Sequence, residues 1–141
     1  MKLIITGGAG FIGSHLAEHL LQRGHTVIVI DNLSTGRLEN IHSIKKKIKF
    51  VKADISKKGN WNKLFKDVNA VYHLAALADI VPSIKNPGKY FDSNVLGTKN
   101  VIENAIKYNV KKIIYSASSS CYGIPKKYPT KEDSKLDPKY P

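Results

Sequence analysis

The residues best suited to chemistry in this chain are Gly7-Gly8-Ala9-Gly10-Phe11-Ile12-Gly13. They satisfy G-x-G-x-x-G through Gly8, Gly10 and Gly13, and G-x-x-G-x-x-G through Gly7, Gly10 and Gly13. Glycines at this spacing let main chain come close to a pyrophosphate, whose charge then rests on the N-terminus of the next helix. A glycine string alone also serves ordinary turns. Here a strand pattern precedes it, a helical pattern follows, and Asp31 closes the next strand about 20 residues on. A carboxylate there accepts hydrogen bonds from adenosine ribose hydroxyls and repels a 2′-phosphate, so the pattern predicts NAD rather than NADP.

The elements that must position this loop alternate short β-branched runs with longer helical stretches. Strands are expected at Lys2 to Thr6, Thr26 to Ile30, Ile48 to Lys52, Ala70 to Leu74 and Lys112 to Ala117. A helix is expected over Gly10 to Arg23, with Phe11, Ile12, His15, Leu16, Leu20 and Leu21 as its apolar stripe and Gly24 as its end. Short helices fit Arg37 to Lys46 and Trp61 to Phe65, and one long helix enters at Pro87 and runs from Gly88 to Tyr108. From Ser118 onward Gly123, Pro125, Pro129, Pro138 and Pro141 predict loop. The whole is an α/β, Rossmann-like doubly wound parallel sheet in strand order 3-2-1-4-5. A sixth strand and a covering helix are also expected of such a sheet, so residues 1–141 read as one incomplete domain, the front portion of something longer.

Composition narrows the partners. The chain has 141 residues, 23 Lys and Arg against 11 Asp and Glu, a net charge of +12 and 42% apolar residues. That length supports one domain with a core of its own. Arginine stands only at Arg23 and Arg37, so nearly all the positive charge is lysine, scattered in pairs and one triplet. Base readout and bidentate phosphate recognition favour arginine's planar fork. Solvated surface charge is the expected role, and no nucleic-acid partner is predicted. One cysteine, Cys121, excludes an internal disulfide framework. With apolar runs far too short to span a bilayer and no signal-peptide core at the start, a cytoplasmic protein without a membrane partner is expected. The five histidines show no metal-ligand spacing, so no metal is assigned.

Further motifs extend along the chain: Asp31-Asn32-Leu33-Ser34-Thr35-Gly36, Asp54-Ile55, His73-Leu74-Ala75-Ala76, Asn94-Val95-Leu96-Gly97-Thr98 and Ser116-Ala117-Ser118-Ser119-Ser120-Cys121-Tyr122-Gly123. In this order, and with the glycine loop, the whole chain resembles an extended short-chain dehydrogenase/reductase, specifically a nucleotide-sugar epimerase of the UDP-glucose 4-epimerase type.

That resemblance implies roles residue by residue. Gly7, Gly10 and Gly13 form the phosphate loop, and Phe11 and Ile12 turn backbone N–H groups to the pyrophosphate. Asp31 and Asn32 hold the adenosine ribose, with Ser34, Thr35 and Gly36 along its rim. Asp54 and Ile55 sit by the adenine. Leu74, Ala75 and Ala76 pack along the middle of the cofactor, and Asn94, or Ser93 beside it, reaches it from the long helix. Ser116 lies near the nicotinamide. Ser118, four residues before Tyr122, matches the family's catalytic Ser/Thr, which hydrogen-bonds the sugar 4-hydroxyl.

Plainer roles stand beside these. Asp54 can cap the helix that follows it. His73 can be a packed or backbone-bonded histidine, Asn94 can tie helix to loop, Ser83 can be a helix-entry or turn residue rather than a substrate contact, and Ser118 can be one loop hydroxyl among several. The family's chemistry also needs a Tyr-x-x-x-Lys pair on one helical face, where the ammonium helps stabilise a tyrosinate. Tyr122 to Lys126 contains Gly123 and Pro125 and cannot hold a helix, and Tyr108 to Lys112 straddles a helix end and a strand. The true pair is expected beyond Asp137-Pro138-Lys139-Tyr140-Pro141.

For the parent protein the resemblance implies NAD-dependent epimerisation at C4 of a nucleotide-linked hexose, with a UDP-hexose as substrate and partner. A reductase of the same sugars, a 4,6-dehydratase and a non-catalytic NAD-binding module are the alternatives. A dehydratase carries an acidic residue after the Ser/Thr, where this chain has Ser119 and Ser120. An open fifth-strand edge and an uncovered long helix predict self-association into a homo-oligomer, or limited stability.

Overall fold

Two apolar faces alternate along the strands of this protein, and they decide its layers. In β1 (Lys2–Thr6), Ile4 points to one side while Leu3 and Ile5 point to the other. In β2 (Thr26–Asp31), Ile28 and Ile30 share the face of Ile4, and Val27 and Val29 share that of Leu3. Period-two alternation with both sets apolar is the pattern of a sheet buried on both sides. The computed structural model describes residues 1–125 and 127–139. Lys126, which ends one literal Tyr-x-x-x-Lys match, and Tyr140 and Pro141, which end the run leading to the expected pair, lie outside the described residues.

The sheet is five-stranded and parallel in order β3-β2-β1-β4-β5, as the sequence predicts. Its other strands are β3 (Lys49–Lys52), β4 (Ala70–His73) and β5 (Lys112–Tyr115). Helix α1 (Phe11–Gln22) and a 3-10 turn at Leu38–Ile44 cover one face, burying Ala17, Leu20, Ile41 and Ile44 against Leu3, Ile5, Val27 and Val29. The other face is covered by a 3-10 turn at Asn60–Phe65 and by helix α4 (Gly97–Lys107), through Trp61, Phe65, Val101 and Ala105. Each fully buried Ile, Leu or Val here contributes about 1.5–3 kcal/mol relative to exposure. β3 is one edge of the sheet, with exposed Lys49 and Lys52 at its two ends.

Three expectations need correction. The apolar stripe of α1 is buried only towards its C-terminal end: Leu20 is in the core with Leu16 and Leu21 packed against it, but Phe11 and Ile12 are 78% and 65% exposed and His15 is exposed, while Gly13, Ser14 and Ala17 are buried in their place. Small residues face the sheet because this helix lies close against it, and Phe11 and Ile12 open instead onto a cavity. The helix expected from Pro87 is preceded by another, α2 (Ile80–Lys85), and is not uniform. It consists of α3 (Pro87–Tyr90), a π turn at Phe91–Leu96, and then α4. Finally, Ser119–Tyr122 is a 3-10 turn rather than plain loop, with Ser118 as its cap.

Both longer helices end in the same way. Gly24 (φ +75°) follows α1, its N–H donating to the Leu21 carbonyl and that of His25 to Leu20. Asn109 (φ 54°) follows α4, its N–H donating to Ile106 and that of Val110 to Ala105. These are Schellman closures, which pair the last carbonyls of a helix through a left-handed residue.

Candidate functional site

The order β3-β2-β1-β4-β5 reverses direction between β1 and β4, and in open parallel sheets ligands bind at the carboxyl ends of the strands beside such a reversal. A cavity of about 830 Å³ opens there. The glycine loop forms its floor. Gly7 has φ +71°, and a Cβ on it would stand 2.7 Å from the Ala75 nitrogen, so this position requires glycine on both counts. A Cβ on Gly13 would collide with the Gly7 carbonyl, so α1 approaches β1 only with hydrogen at that position. Gly10 caps α1 with main chain alone, and no acidic side chain stands in the first turn. The N-terminal N–H groups of α1 are therefore left for an anion from outside the chain.

Asp31 is buried at the end of β2, and both of its oxygens accept main-chain hydrogen bonds: Oδ2 from Ala9 N–H at 2.9 Å and Oδ1 from Leu33 N–H at 2.8 Å. An ionised carboxylate has further lone pairs, and Asp31 lines the cavity. Leu33 holds a left-handed conformation (φ 61°), which its hydrogen bond to Asp31 supports. Asn32 Oδ1 in turn accepts from Ser34 N–H at 2.9 Å. Asp54 caps its own turn, accepting from the Ser56 N–H and hydroxyl through Oδ1, and it lines the cavity as well.

The opposite wall comes from β4, β5 and the helices. Leu74, Ala75 and Ala76 leave β4 along the cavity. The Asn94 carboxamide brackets Leu77, accepting its N–H at 2.8 Å and donating to its carbonyl at 2.9 Å. Asn94 thus ties the π turn to this segment while also lining the cavity beside Ser93. Ser116 and Ser118 stand on the wall beyond β5, and the Ser118 hydroxyl accepts from Ser120 N–H at 3.1 Å. Gly7, Gly10, Phe11, Ile12 and Gly13 share the cavity with Asn32, Ser34, Thr35, Gly36 and Ile55. Every residue singled out for cofactor or sugar is therefore brought to one place. Ser83 reaches it too, as a buried residue inside α2 whose hydroxyl donates to the Ile80 carbonyl at 2.6 Å.

Sequence reasoning missed Leu77, Tyr90, Thr98 and Lys139 on this wall. Tyr90 is buried one turn before Asn94, a spacing that suggests a shared face. Among the described residues Lys139 is the one cation lining the cavity, and it pairs with Asp137 at 2.7 Å. The carboxylates of Asp31, Asp54 and Asp79 line it as well, so the chain's net positive charge is not concentrated here.

His73, at the end of β4, is 2% exposed. Its Nδ1 lies 2.6 Å from Thr6 Oγ1 and its Nε2 lies 2.8 Å from Thr98 Oγ1. Burial lowers its pKa to about 4. Tyr108 is the C-cap of α4 and Lys112 begins β5, so that pair does not share a helical face.

This geometry agrees with what comparison finds. A model of the NAD dependent epimerase/dehydratase family matches residues 3–141. The chain belongs to that family. It is 42% identical over 141 residues to the putative UDP-glucose 4-epimerase of Methanocaldococcus jannaschii, covering 99% of this chain and 45% of the relative. It is 39% identical over 145 residues to the bifunctional UDP-glucose and UDP-xylose 4-epimerase 3 of Arabidopsis thaliana, covering 96% of this chain and 41% of that protein. Among solved structures, UDP-glucose 4-epimerase from Thermotoga maritima with UDP-glucose superposes with a TM-score of 0.92 at 36% identity, over 99% of this chain and 46% of that one. The Stenotrophomonas maltophila enzyme, with bound NAD and formylated UDP-arabinopyranose, gives 0.92 at 32%, over 99% and 44%. The family's cofactor is NAD, and this chain spans less than half the length of these relatives. No helix among the described residues is long and apolar enough to cross a membrane.

Proposed function

We propose that this chain forms the NAD-binding part of an enzyme that epimerises C4 of a UDP-linked hexose. The observation that carries the proposal is the single cavity joining the glycine loop and Asp31 at one end to the Ser118 loop at the other. The residues fit the cofactor: main chain without side chains at Gly7 and Gly13, an uncapped helix N-terminus, and a buried carboxylate on the ribose side.

Phe11 and Ile12 N–H groups would hold the pyrophosphate, Asp31 and Asn32 the adenosine ribose with Ser34, Thr35 and Gly36 at its rim, and Asp54 and Ile55 the adenine. Leu74, Ala75 and Ala76 would exclude water from the middle of the cofactor, with Ser93 and Asn94 facing them and Ser116 near the nicotinamide. When bound, NAD supplies a hydride acceptor and donor for the sugar C4. Ser118 Oγ accepts from Ser120 N–H and keeps its own hydrogen for the sugar 4-hydroxyl. The proton itself would go to a tyrosine of a Tyr-x-x-x-Lys pair. Neither literal match here supplies one, because Tyr108 caps α4 while Lys112 begins β5, and Gly123 and Pro125 keep Tyr122 to Lys126 from forming a helix. Alone, the chain should therefore turn over weakly or not at all, and a non-catalytic NAD-binding role is the second reading.

Calorimetric titration with NAD+ and NADP+ tests the cofactor reading, with tighter NAD+ binding expected. Interconversion of UDP-glucose and UDP-galactose by the longer protein tests the reaction. Ser118→Ala should cost it about 10²–10⁴-fold in turnover. A 4-keto-6-deoxy product would instead make the enzyme a dehydratase, net consumption of NADH a reductase. We also propose a homo-oligomer, supported by Phe91, Val95, Ile102 and Ile106, which lie exposed along the π turn and α4, and a cytoplasmic location, in keeping with the lone Cys121.

A further inference from the structure

The hydrogen bonds around His73 have only one consistent direction. Thr98 Oγ1 has a single hydrogen, and it donates that hydrogen to the Asn94 carbonyl at 2.6 Å. Toward His73 Nε2, 2.8 Å away, it must therefore accept, which places the imidazole hydrogen on Nε2. In a neutral ring Nδ1 is then bare and accepts from Thr6 Oγ1 at 2.6 Å. Thr6 Oγ1 in turn accepts the Ala75 N–H at 3.4 Å. The other neutral tautomer would require the Thr98 hydroxyl to donate twice.

This circuit starts and ends on one segment. It begins at the Ala75 N–H and runs through Thr6, His73 and Thr98 to the carbonyl of Asn94, whose carboxamide holds both the N–H and the carbonyl of Leu77. Three separate elements, β1, β4 and the π turn with α4, are thereby referred to one imidazole. A threonine hydroxyl that bonds back to the carbonyl four residues earlier bends a helix locally, and this one sits just past the π turn.

We propose that His73, carrying its hydrogen on Nε2, is a positioning residue for the cofactor cavity: it fixes Thr98, Thr98 fixes the π turn at Asn94, and Asn94 holds Leu77 on the cavity wall. The inference rests on the NAD reading only for its affinity arm. Its structural arm is independent of any ligand.

The test uses this chain with four substitutions, read by NMR amide hydrogen exchange and by NAD+ titration. His73→Phe keeps ring volume and removes both bonds, and Thr98→Val cuts the circuit one step further on. Both should speed exchange of the Leu77 amide while amides of β2 keep their native rates. Both should weaken NAD+ binding roughly tenfold, the size of one net hydrogen bond. His73→Gln, which returns a donor near the Nε2 position, and Thr98→Ser, which keeps the hydroxyl, should restore both. Imidazole nitrogen spectra should place the hydrogen on Nε2. Native Leu77 exchange in folded His73→Phe or Thr98→Val would overturn the proposal, as would a hydrogen on Nδ1 or a failure of both restoring variants. If His73→Phe does not fold, Thr98→Val decides. If the unsubstituted chain does not bind NAD+, the cofactor reading fails while Leu77 exchange still decides this one.

Discussion

Asp31 holds Ala9 by a 2.9 Å hydrogen bond from the Ala9 N–H to Oδ2, so the residue expected to meet the adenosine ribose also fastens the phosphate loop. The Ala9 carbonyl is fastened too, accepting from Arg37 N–H at 3.0 Å and Asn40 Nδ2 at 2.8 Å. The two halves of the expected cofactor contact, ribose and pyrophosphate, are thus set relative to one another before any ligand arrives. Preorganisation of this kind reduces the ordering cost of binding.

Asp31→Asn removes the charge and keeps an acceptor for one of the two backbone donors. The preference for NAD+ over NADP+ should narrow, because the repulsion of a 2′-phosphate is lost. Asp31→Ala orphans the Ala9 and Leu33 N–H groups at a cost of about 1–3 kcal/mol each where they stay buried. Parallel titrations with both dinucleotides, and urea midpoints for each variant, check the two effects separately.

Acid should destabilise the protein through His73. Burial holds its pKa down to about 4, against 6.5 in the unfolded chain. The unfolded state therefore takes up the proton first, so this contribution is complete above pH 6.5 and is lost as pH falls from 6.5 towards 4. The neighbouring hydroxyls of Thr6 and Thr98 are neutral, the Tyr115 ring lies 5.7 Å away, and Lys99 and Glu103 share the apolar hollow on that side. At pH 5 the loss should be about 2 kcal/mol relative to pH 7.5. His73→Gln should flatten that part of the profile in urea melts at the two pH values.

Asn109 closes α4 in a left-handed conformation that Gly24 occupies at the end of α1. Asn109 is exposed, so Asn109→Gly loses little packing and relieves the backbone. A gain of up to about 1 kcal/mol is expected, and Gly24→Ala should lose a comparable amount. Thermal melts of the two variants would show opposite shifts.

The apolar face of the π turn and α4 makes a prediction about association. Ile106 is 70% exposed and Val95 49% exposed on that face. The unsubstituted chain should self-associate, and Ile102→Lys with Ile106→Glu should shift light scattering towards the monomer mass without lowering the melting temperature. A monodisperse monomer in the unsubstituted chain would refute the proposed oligomer.

The strand order was readable because β-branched runs and glycine punctuation are local signals, and they agree with the two-sided burial of Ile4, Ile5, Val29 and Ile30. The cavity residues were readable for a related reason: the phosphate and ribose contacts proposed for Gly7, Gly13 and Asp31 need those residues at fixed positions around one turn, and all three line the cavity. Tertiary effects were not. Phe11 and Ile12 fit a helical apolar stripe, yet close approach of α1 to β1 turns Gly13 and Ala17 inward instead. α2 was missed because six residues are too few to show an apolar period, and its Pro82 stands in the first turn, where a proline's missing N–H is no loss. The π turn leaves no compositional mark. Nor does the hydrogen bond from Ala9 to Asp31: their spacing points both at one ligand and not at each other.

The two ends of β3 bear on crowding. If two copies brought these strands together antiparallel about Phe50 and Val51, Lys49 of each would face Lys52 of the other. Like charges set directly opposite are unfavourable, and lysine is a common guard on exposed strands. The pairing would set ammonium against ammonium at both ends of a four-residue ladder. Accretion of further strands is thus discouraged at this margin, so a concentrated solution of the protein should be protected there against fibrous stacking, and by charges that take no part in the cavity.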